Sequence, residues 1–200
     1  MKKVSFIAAL LLVGISFTQA KMGIFDLLTS KNSAAPASAV AAGSFFDFKA
    51  NSLIGGKEID LAKYKGKKVV VMNVASKCGY TPQYADWEKF SQAHGDKVVV
   101  LGFPADDFMH QEPGSNDDIA SFCQKNYGVT FQMFEKTIVT GKKQSALYKW
   151  LSTKELNGWN DKSPSWNFCK YVIDENGKLT NFFGSGVKPN DKEFLKAVAL

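Results

Sequence analysis

The sequence predicts one α/β domain in which a central mixed β-sheet is flanked by helices. Two continuous runs of mostly β-branched residues, at 67–74 and 97–103, have the composition of strands buried on both faces of a parallel sheet. Between them, residues 82–94 place aromatic side chains at helical spacing and stop at Gly95. Strand, helix and strand in this order predict a right-handed parallel crossover, the unit of an α/β fold.

Composition limits the classes of function that the chain can have. Its 200 residues suffice for one domain with a substantial core and are too few for two. The net charge is +6, but the lysines are scattered and form no basic stripe with interleaved aromatic residues. We therefore expect no nucleic-acid partner, while a weak attraction to anionic membrane surfaces stays open.

The first 20 residues have the pattern of a secretory signal peptide. Two lysines precede an apolar run over 4–17, and small residues lead to Ala20. The run is shorter than the ~20 residues that a membrane span needs, so cleavage after Ala20 is favoured over an uncleaved anchor. We predict a signal peptide over 1–20 and export of the mature protein, to a periplasm.

A linker and a hairpin are predicted to follow. Residues 21–44 are rich in alanine and serine, the composition of a flexible linker, so the folded domain is predicted over 45–200. Its first element is expected to be a β-hairpin with strands at 46–50 and 58–61. Gly55-Gly56 occupies the turn between them.

The second half of the domain adds helices and a second hairpin. Residues 116–127 predict a helix with acidic residues in its first turn and apolar residues on one face, and 145–151 predict a shorter helix. Strands at 169–174 and 178–183 are joined by an Asn-Gly turn, and a last helix closes the domain. The order, a hairpin followed by β-α-β-α-β-β-α, is that of the thioredoxin-like fold.

A cysteine lies where the first long strand meets the first helix. Residues 71–84 read VMNVASKCGYTPQY, and Thr81 and Pro82 are predicted as the N-cap and first residue of the helix. The unpaired N–H groups and partial positive charge of a helix N-terminus favour a thiolate, which is the nucleophilic form. The carboxyl end of a parallel strand is also where such sheets place their chemistry. A reactive role for Cys78 therefore outweighs the alternative of a buried structural thiol.

The residues around Cys78 narrow its chemistry. Three positions further on stands Thr81, so no disulfide can form within the motif. A single activated thiolate is suited to attack the O–O bond of a peroxide, which leaves a sulfenic acid for a second thiol to reduce. Cys123 and Cys169 are the other two thiols, and core packing is expected for both.

Four blocks of the sequence resemble the glutathione peroxidase family in its cysteine form. In chain order they are NVASKCGYTPQY, QEPGSNDDIASFC, YGVTFQMFEK and WNFCKYVID, and together they span nearly all of residues 45–200. The resemblance implies a thioredoxin-like fold and a peroxidase that reduces hydrogen peroxide and organic hydroperoxides in defence against oxidative stress. Its reductant would be glutathione or a thioredoxin-type thiol. No phosphate-binding glycine loop or metal-ligand spacing occurs, so no cofactor is expected.

The resemblance also implies a set of site residues. The family's catalytic tetrad is a cysteine or selenocysteine, a glutamine, a tryptophan and an asparagine. It maps onto Cys78, Trp166 and Asn167, and the indole and carboxamide N–H groups can donate hydrogen bonds to a thiolate. The glutamine position holds Asp107, which follows Asp106. An ionised aspartate only accepts hydrogen bonds and adds negative charge, so Asp107 predicts a weakened or re-tuned enzyme.

Asp107 keeps a second hypothesis for the function open. The chain would then be a peroxidase-fold protein with little turnover that acts as a redox sensor or binding module. The simplest alternative for the acidic pair itself is a solvated surface turn. A third class, the thiol–disulfide exchange proteins, is disfavoured by Thr81.

The reductant and the oligomeric state are predicted from the same resemblance. By this alignment the family's internal resolving thiol falls at Gln124, one residue after Cys123, so an external thiol is the expected reductant. Residues 152–165 form only a short segment before Trp166. Because family members that form tetramers carry a longer insertion there, a monomer with an open site is expected.

Overall fold

The computed structural model describes residues 32–200, and it confirms the α/β class and the mixed sheet. The predicted signal peptide and the first part of the predicted linker, residues 1–31, lie outside the described residues. No helix within 32–200 is both long enough and apolar enough to cross a membrane.

Six of the eight strands in the described part of the chain form one sheet. The strands are β1 (Ser33–Ala34), β2 (Lys49–Asn51), β3 (Glu58–Asp60), β4 (Lys68–Val74), β5 (Val98–Pro104), β6 (Gln132–Met133), β7 (Lys170–Ile173) and β8 (Leu179–Phe183). The sheet order is β1-β8-β7-β4-β5-β6. β4 pairs parallel with β5, and β5 with β6, whereas the other neighbours pair antiparallel. This is the predicted thioredoxin-like arrangement, and β2 and β3 form the predicted hairpin beside it.

Helices cover both faces of the sheet. They are α1 (Gln83–His94), α2 (Asn116–Tyr127), α3 (Ala146–Leu151), α4 (Lys154–Asn157) and α5 (Lys192–Ala197). Alternate residues of β4 point to opposite faces. Val70 and Met72 lie in one buried cluster with aromatic residues of α1 and α5, and Val69 and Val71 lie in another with α3. Burial on both faces explains the continuous apolar run of β4. Because β4 and β5 are parallel, the loops after them meet at one edge of the sheet.

The ordered domain begins earlier than the predicted boundary at Phe45. β1 adds an edge strand to β8, and the Ala42 N–H donates to the Leu156 carbonyl at 2.9 Å. This differs from the flexible linker predicted over 21–44, because residues 32–44 are held along the domain by backbone hydrogen bonds. An edge strand needs only backbone groups, which alanine and serine supply as well as any residue.

The hairpin forms at the predicted turn, but its first strand starts later than predicted. Phe45–Asp47 form a 3₁₀ helix in which Ser44 and Asp47 cap each other's backbone N–H groups. Both phenylalanine rings of this turn are buried, so it belongs to the core rather than to the hairpin. Gly55 and Gly56 have φ values of 74° and 59°. The hairpin turn requires positive φ at these positions, which glycine adopts without steric cost.

The starts of the two long helices differ in how they are capped. α2 spans the predicted residues, and the Ser115 hydroxyl accepts the Asp118 N–H in a capping box. α1 begins at Gln83, one residue later than predicted, with Pro82 in the N-cap position and no side-chain cap. The prediction of Thr81 as the N-cap is therefore wrong, because its hydroxyl is used by the preceding loop.

Candidate active site

Cys78 lies in the loop between β4 and α1, at the carboxyl end of β4. The residue is 7% exposed, and the Tyr80 backbone N–H donates to its Sγ at 3.4 Å. The Thr81 hydroxyl accepts the Cys78 N–H at 3.0 Å and donates to the Ala75 carbonyl at 2.8 Å. Thr81 thus closes the cysteine loop. One backbone donor is thus aimed at the sulfur.

Asn73 of β4 holds the segment that carries Trp166 and Asn167. Its Nδ2 donates to the Trp166 carbonyl at 3.0 Å, and its Oδ1 accepts the Cys169 N–H at 3.1 Å. Its backbone carbonyl accepts the Phe168 N–H at 2.6 Å. Phe168 has a φ of 64°, in the left-handed region that non-glycine residues rarely adopt. Such backbone persists only where its surroundings fix it, and the three bonds to Asn73 do so.

This arrangement brings Trp166 and Asn167 to the region of Cys78. Trp166 packs against the buried cluster that contains Cys78, and its ring centroid lies 5.7 Å from that of Phe108. Asn167 is wholly buried, and its Nδ2 donates to Oε1 of Gln111 at 3.0 Å. Gln111 is not among the site residues predicted from the sequence, although it is the first residue of the block QEPGSNDDIASFC.

The loop after β5 carries Gln111 on an unusual backbone. Met109 and His110, the two residues before it, have φ values of 52° and 51°. Asp106 closes this loop, since its carboxylate accepts the Glu112 N–H at 2.9 Å and lies 3.1 Å from Nδ1 of His110. Two consecutive left-handed residues without glycine are costly, and such strain is typical of functional sites.

Asp107, at the predicted glutamine position, is turned toward a different loop. Its carboxylate accepts the backbone N–H groups of Val139 at 3.3 Å and Thr140 at 3.1 Å, and the Thr140 hydroxyl at 3.2 Å. These donors compensate its charge. The predicted weakening of the Cys78 thiolate by Asp107 therefore has no geometric support from these contacts.

We expect Asp107→Ala to lower the free energy of unfolding by about 1–2 kcal/mol, because two backbone N–H groups lose their acceptor. The rate at which iodoacetamide alkylates Cys78 should stay the same, since the lost contacts all lie at residues 139–140. Urea denaturation measures the first quantity. Alkylation of protein with Cys123→Ser and Cys169→Ser measures the second, and a clear change in its rate would place Asp107 in the site after all.

The other two thiols are buried, as predicted. All three cysteines of the described chain are free. Cys123 is 2% exposed, and burial raises the pKa of its thiol to about 11. Cys169 is wholly buried, with its Sγ 3.6 Å from Oγ of Ser185. At neutral pH Cys123 therefore stays a neutral thiol while it remains in this position.

A buried lysine ties the start of α1 to the sheet. Lys170, on β7, is wholly buried, and its Nζ donates to Oε1 of Gln83 at 2.9 Å and to the carbonyls of Ser185 at 2.9 Å and Val187 at 2.6 Å. Burial lowers the pKa of its ammonium group to about 7. Because Gln83 is the first residue of α1, Lys170 fixes the helix that follows the cysteine loop.

Glu112 is the second buried ionisable group near the site. It is 1% exposed, and burial raises the pKa of its carboxyl group to about 7. It does not belong to a metal centre, since residues 32–200 contain no group of three or more His, Cys, Asp or Glu side chains that could hold an ion.

Comparison with known proteins shows which family the chain belongs to. Residues 45–152 match the family model described as glutathione peroxidase. A glutathione peroxidase of Lactococcus lactis is 42% identical over 151 residues, which cover 75% of this chain and 95% of that protein. The chain belongs to the glutathione peroxidase family. The family model covers Cys78 and Asp107 and ends before Trp166, so the place of Trp166 and Asn167 rests on their contacts.

Two further relatives of this glutathione peroxidase-family chain carry more specific names. A protein of Saccharomyces cerevisiae named glutathione peroxidase-like peroxiredoxin 2 is 41% identical over 148 residues, 74% of this chain and 91% of that protein. A hydroperoxy fatty acid reductase of Synechocystis is 38% identical over 161 residues, 76% of this chain and 94% of that protein. The family and these relatives make the chain a peroxidase-type oxidoreductase.

Solved structures confirm the thioredoxin-like fold. The crystal structure of Trgpx in apo form has a TM-score of 0.59 and 36% identity, and the match covers 80% of this chain and 98% of that one. A DsbF homologue from Corynebacterium diphtheriae has a TM-score of 0.60, with coverage of 85% and 92%. Its identity is 16%, so it shows a shared fold alone.

Proposed function

We propose that this member of the glutathione peroxidase family is an enzyme of the cysteine type, with Cys78 as its nucleophile. One observation carries the proposal. The Cys78 sulfur lies at the carboxyl end of β4, receives the Tyr80 N–H, and shares a buried cluster against which Trp166 packs. The chemistry is thiol-dependent reduction of hydrogen peroxide and organic hydroperoxides, in defence against oxidative stress.

The proposed cycle begins with the Cys78 thiolate. It attacks one oxygen of the hydroperoxide, so that an S–O bond forms and the O–O bond breaks. The leaving oxygen takes up a proton and departs as an alcohol, or as water when the substrate is hydrogen peroxide. Cys78 is now a sulfenic acid. A first thiol displaces its hydroxyl as water and forms a mixed disulfide, and a second thiol restores the Cys78 thiolate and leaves as a disulfide.

Trp166 and Asn167 are proposed to stabilise the thiolate through their indole and carboxamide N–H groups. The support for this proposal comes from Asn73, which binds the Trp166 carbonyl and the Phe168 N–H, on either side of Asn167. Asp107 is not assigned a part, because its carboxylate is bonded to Val139 and Thr140. A carboxylate still cannot supply the amide donor of the family's glutamine, so the alternative, a redox sensor or binding module with little turnover, is decided by the kinetic test below.

Kinetics with separate substrates and reductants test the proposal. The mature protein would be assayed with hydrogen peroxide and cumene hydroperoxide, each with glutathione or with a thioredoxin system as reductant. The name of the Synechocystis relative, a hydroperoxy fatty acid reductase, supports organic hydroperoxides as substrates for this chain. Absence of turnover with every combination would contradict the peroxidase and favour the sensor.

The same assay with Cys123→Ser shows which thiols take part in reduction. The proposal of an external reductant expects the variant to keep its turnover with glutathione, with Cys169→Ser as the matched control. Loss of thioredoxin-dependent turnover in Cys123→Ser alone, with unchanged alkylation of Cys78, would show that reduction passes through Cys123.

We expect the enzyme to be a monomer that accepts bulky hydroperoxides. The segment 152–165 between α3 and Trp166 is short, whereas family members that form tetramers carry a longer insertion there. Light scattering measures the mass in solution, and the ratio of kcat/KM for cumene hydroperoxide to that for hydrogen peroxide measures the preference. A tetramer, or strict preference for hydrogen peroxide, would contradict this expectation. Added vesicles with anionic lipid test the weak membrane-surface contact in the same light-scattering experiment.

Export is proposed from the N-terminal pattern, with a periplasm as the destination. The pattern consists of lysines, an apolar run over 4–17 and Ala20. Full-length chain expressed in a Gram-negative host should be recovered from the periplasmic fraction with a mass that lacks residues 1–20. Recovery of the uncleaved chain in the cytoplasm would contradict it.

A further inference from the structure

Gln111 makes two hydrogen bonds that join the two halves of the site. Its backbone carbonyl accepts the N–H of Lys77, the residue before Cys78, at 3.0 Å. Its side-chain Oε1 accepts Nδ2 of Asn167 at 3.0 Å. Gln111 therefore connects the loop that carries Cys78 with the Asn167 carboxamide, which is proposed to stabilise the Cys78 thiolate. The left-handed backbone of Met109 and His110 leads directly into this residue.

The contact with Gln111 decides which end of the Asn167 amide is left for the rest of the site. A carboxamide carries an acceptor oxygen at one end and donor N–H groups at the other. While Nδ2 donates to Gln111, Oδ1 of Asn167 is buried and has no hydrogen-bond partner within the described chain. A buried acceptor without a donor is unfavourable, so this oxygen can accept a hydrogen bond from a donor that enters the site.

A concerted rotation of both amides by a half turn would reverse this pattern. Nε2 of Gln111 would then donate to Oδ1 of Asn167, and the Asn167 N–H groups would occupy the place that its oxygen has now. The rotation uses only terminal side-chain torsions, which are soft and roughly two-fold. The backbone can stay where Asn73 holds it, because none of its bonds involves the two amides.

We propose that Gln111 is a positioning residue that sets the orientation of the Asn167 carboxamide and lets it alternate during the cycle. The inference rests on the proposed function, in which Cys78 alternates between a thiolate and a sulfenic acid. A thiolate only accepts hydrogen bonds and selects the Asn167 N–H groups. A sulfenic acid carries a hydroxyl that donates and selects Oδ1. Because Gln111 has both a donor and an acceptor, it pairs with Asn167 in either orientation.

Replacing Gln111 with an acceptor alone tests this role. Gln111→Glu, when ionised, can only accept from Asn167 and holds Oδ1 toward the site. Alkylation of Cys78 by iodoacetamide at pH 7 should become about tenfold slower, the effect of one unit in an ionisation equilibrium. The sulfenic acid formed by one equivalent of peroxide, trapped with dimedone after increasing delays, should persist longer. Structural damage alone would not both slow the alkylation of the thiolate and prolong the lifetime of the sulfenic acid.

The matched variant is Gln111→Met, which is neutral and makes no hydrogen bond. It leaves the Asn167 amide free to turn, so alkylation should stay within about threefold of the parent. All variants carry Cys123→Ser and Cys169→Ser, so that only Cys78 reacts, and urea denaturation confirms that each is folded. Equal slowing by Gln111→Met and Gln111→Glu would reduce Gln111 to a structural residue and overturn the inference.

A double-mutant cycle separates orientation from charge, since Gln111→Glu also adds a negative charge. In an Asn167→Ala background the charge remains and the amide is gone. Gln111→Glu should then slow alkylation by no more than about threefold, against about tenfold with Asn167 present. The same factor in both backgrounds would show that charge alone acts and would overturn the inference. Alkylation needs neither peroxide turnover nor a reductant, so this outcome is distinct from failure of the proposed peroxidase.

Discussion

Cys78→Ser is expected to lower the rate of hydroperoxide reduction by at least about 10³-fold, the scale seen when a nucleophile is removed. A serine hydroxyl is not ionised at neutral pH and does not attack the O–O bond. The fold should survive, because the Cys78 N–H bond to the Thr81 hydroxyl is a backbone contact that serine keeps. Steady-state kinetics with cumene hydroperoxide measures the loss, and urea denaturation confirms that the variant is folded.

Cys169→Ser is the matched control for this substitution. It makes the same chemical change at a wholly buried thiol whose Sγ lies 3.6 Å from Oγ of Ser185. A serine there can hydrogen-bond in place of the thiol, so most of the turnover should remain. Substantial turnover in Cys78→Ser would refute the assignment of the nucleophile, whatever the behaviour of the control.

Lys170→Met is expected to destabilise the protein by about 2 kcal/mol more at pH 9 than at pH 6. Burial lowers the pKa of Lys170 to about 7 from 10.5, its ordinary value. Between these two pH values the unfolded chain binds the proton and the folded chain does not. The stability of the wild type therefore rises with pH across this window, as the cost of burying the charge is relieved, and methionine removes that rise.

Urea denaturation at both pH values measures this difference, with Lys192→Met as the control on the exposed surface of α5. The control should show the same change in unfolding free energy at both pH values. At pH 6 the Lys170→Met variant loses the bonds to Gln83, Ser185 and Val187 but is also freed from a buried charge. If Lys170→Met had the same effect at pH 6 and pH 9, Lys170 would keep its proton in both states.

Polar residues inside apolar runs are the signal that sequence reasoning left unused. Asn73 interrupts the run of β4, which the sequence predicts to be buried, and Lys170 stands among apolar residues in the predicted strand β7. A buried polar side chain requires hydrogen-bond partners, so each of them indicated a distant contact. The partners themselves, Trp166 and Cys169 for Asn73 and Gln83 for Lys170, could not be named from the pattern alone.

The direction in which a side chain of the candidate site points could likewise not be predicted from the sequence. Position relative to the ends of β4 and α1 predicts Cys78 as a site residue, and the resemblance predicts Trp166 and Asn167. The pattern placed Asp107 at the glutamine position, but its carboxylate is taken by donors 32 and 33 residues further along the chain. A carboxylate turns toward whichever N–H groups the tertiary fold leaves unpaired nearby, and those of residues 139–140 come from another loop.

The sequence by itself determined the α/β class, the crossover from β4 through α1 to β5, and the location of Cys78. These follow from hydropathy period and turn chemistry, which act between residues close in the chain. Only the tertiary structure decided that Ser33 and Ala34 pair with β8, and that Gln111 meets Asn167 56 residues away. Such contacts use backbone and amide groups that nearly every segment carries, so their partners are chosen by which segments the packed core brings together.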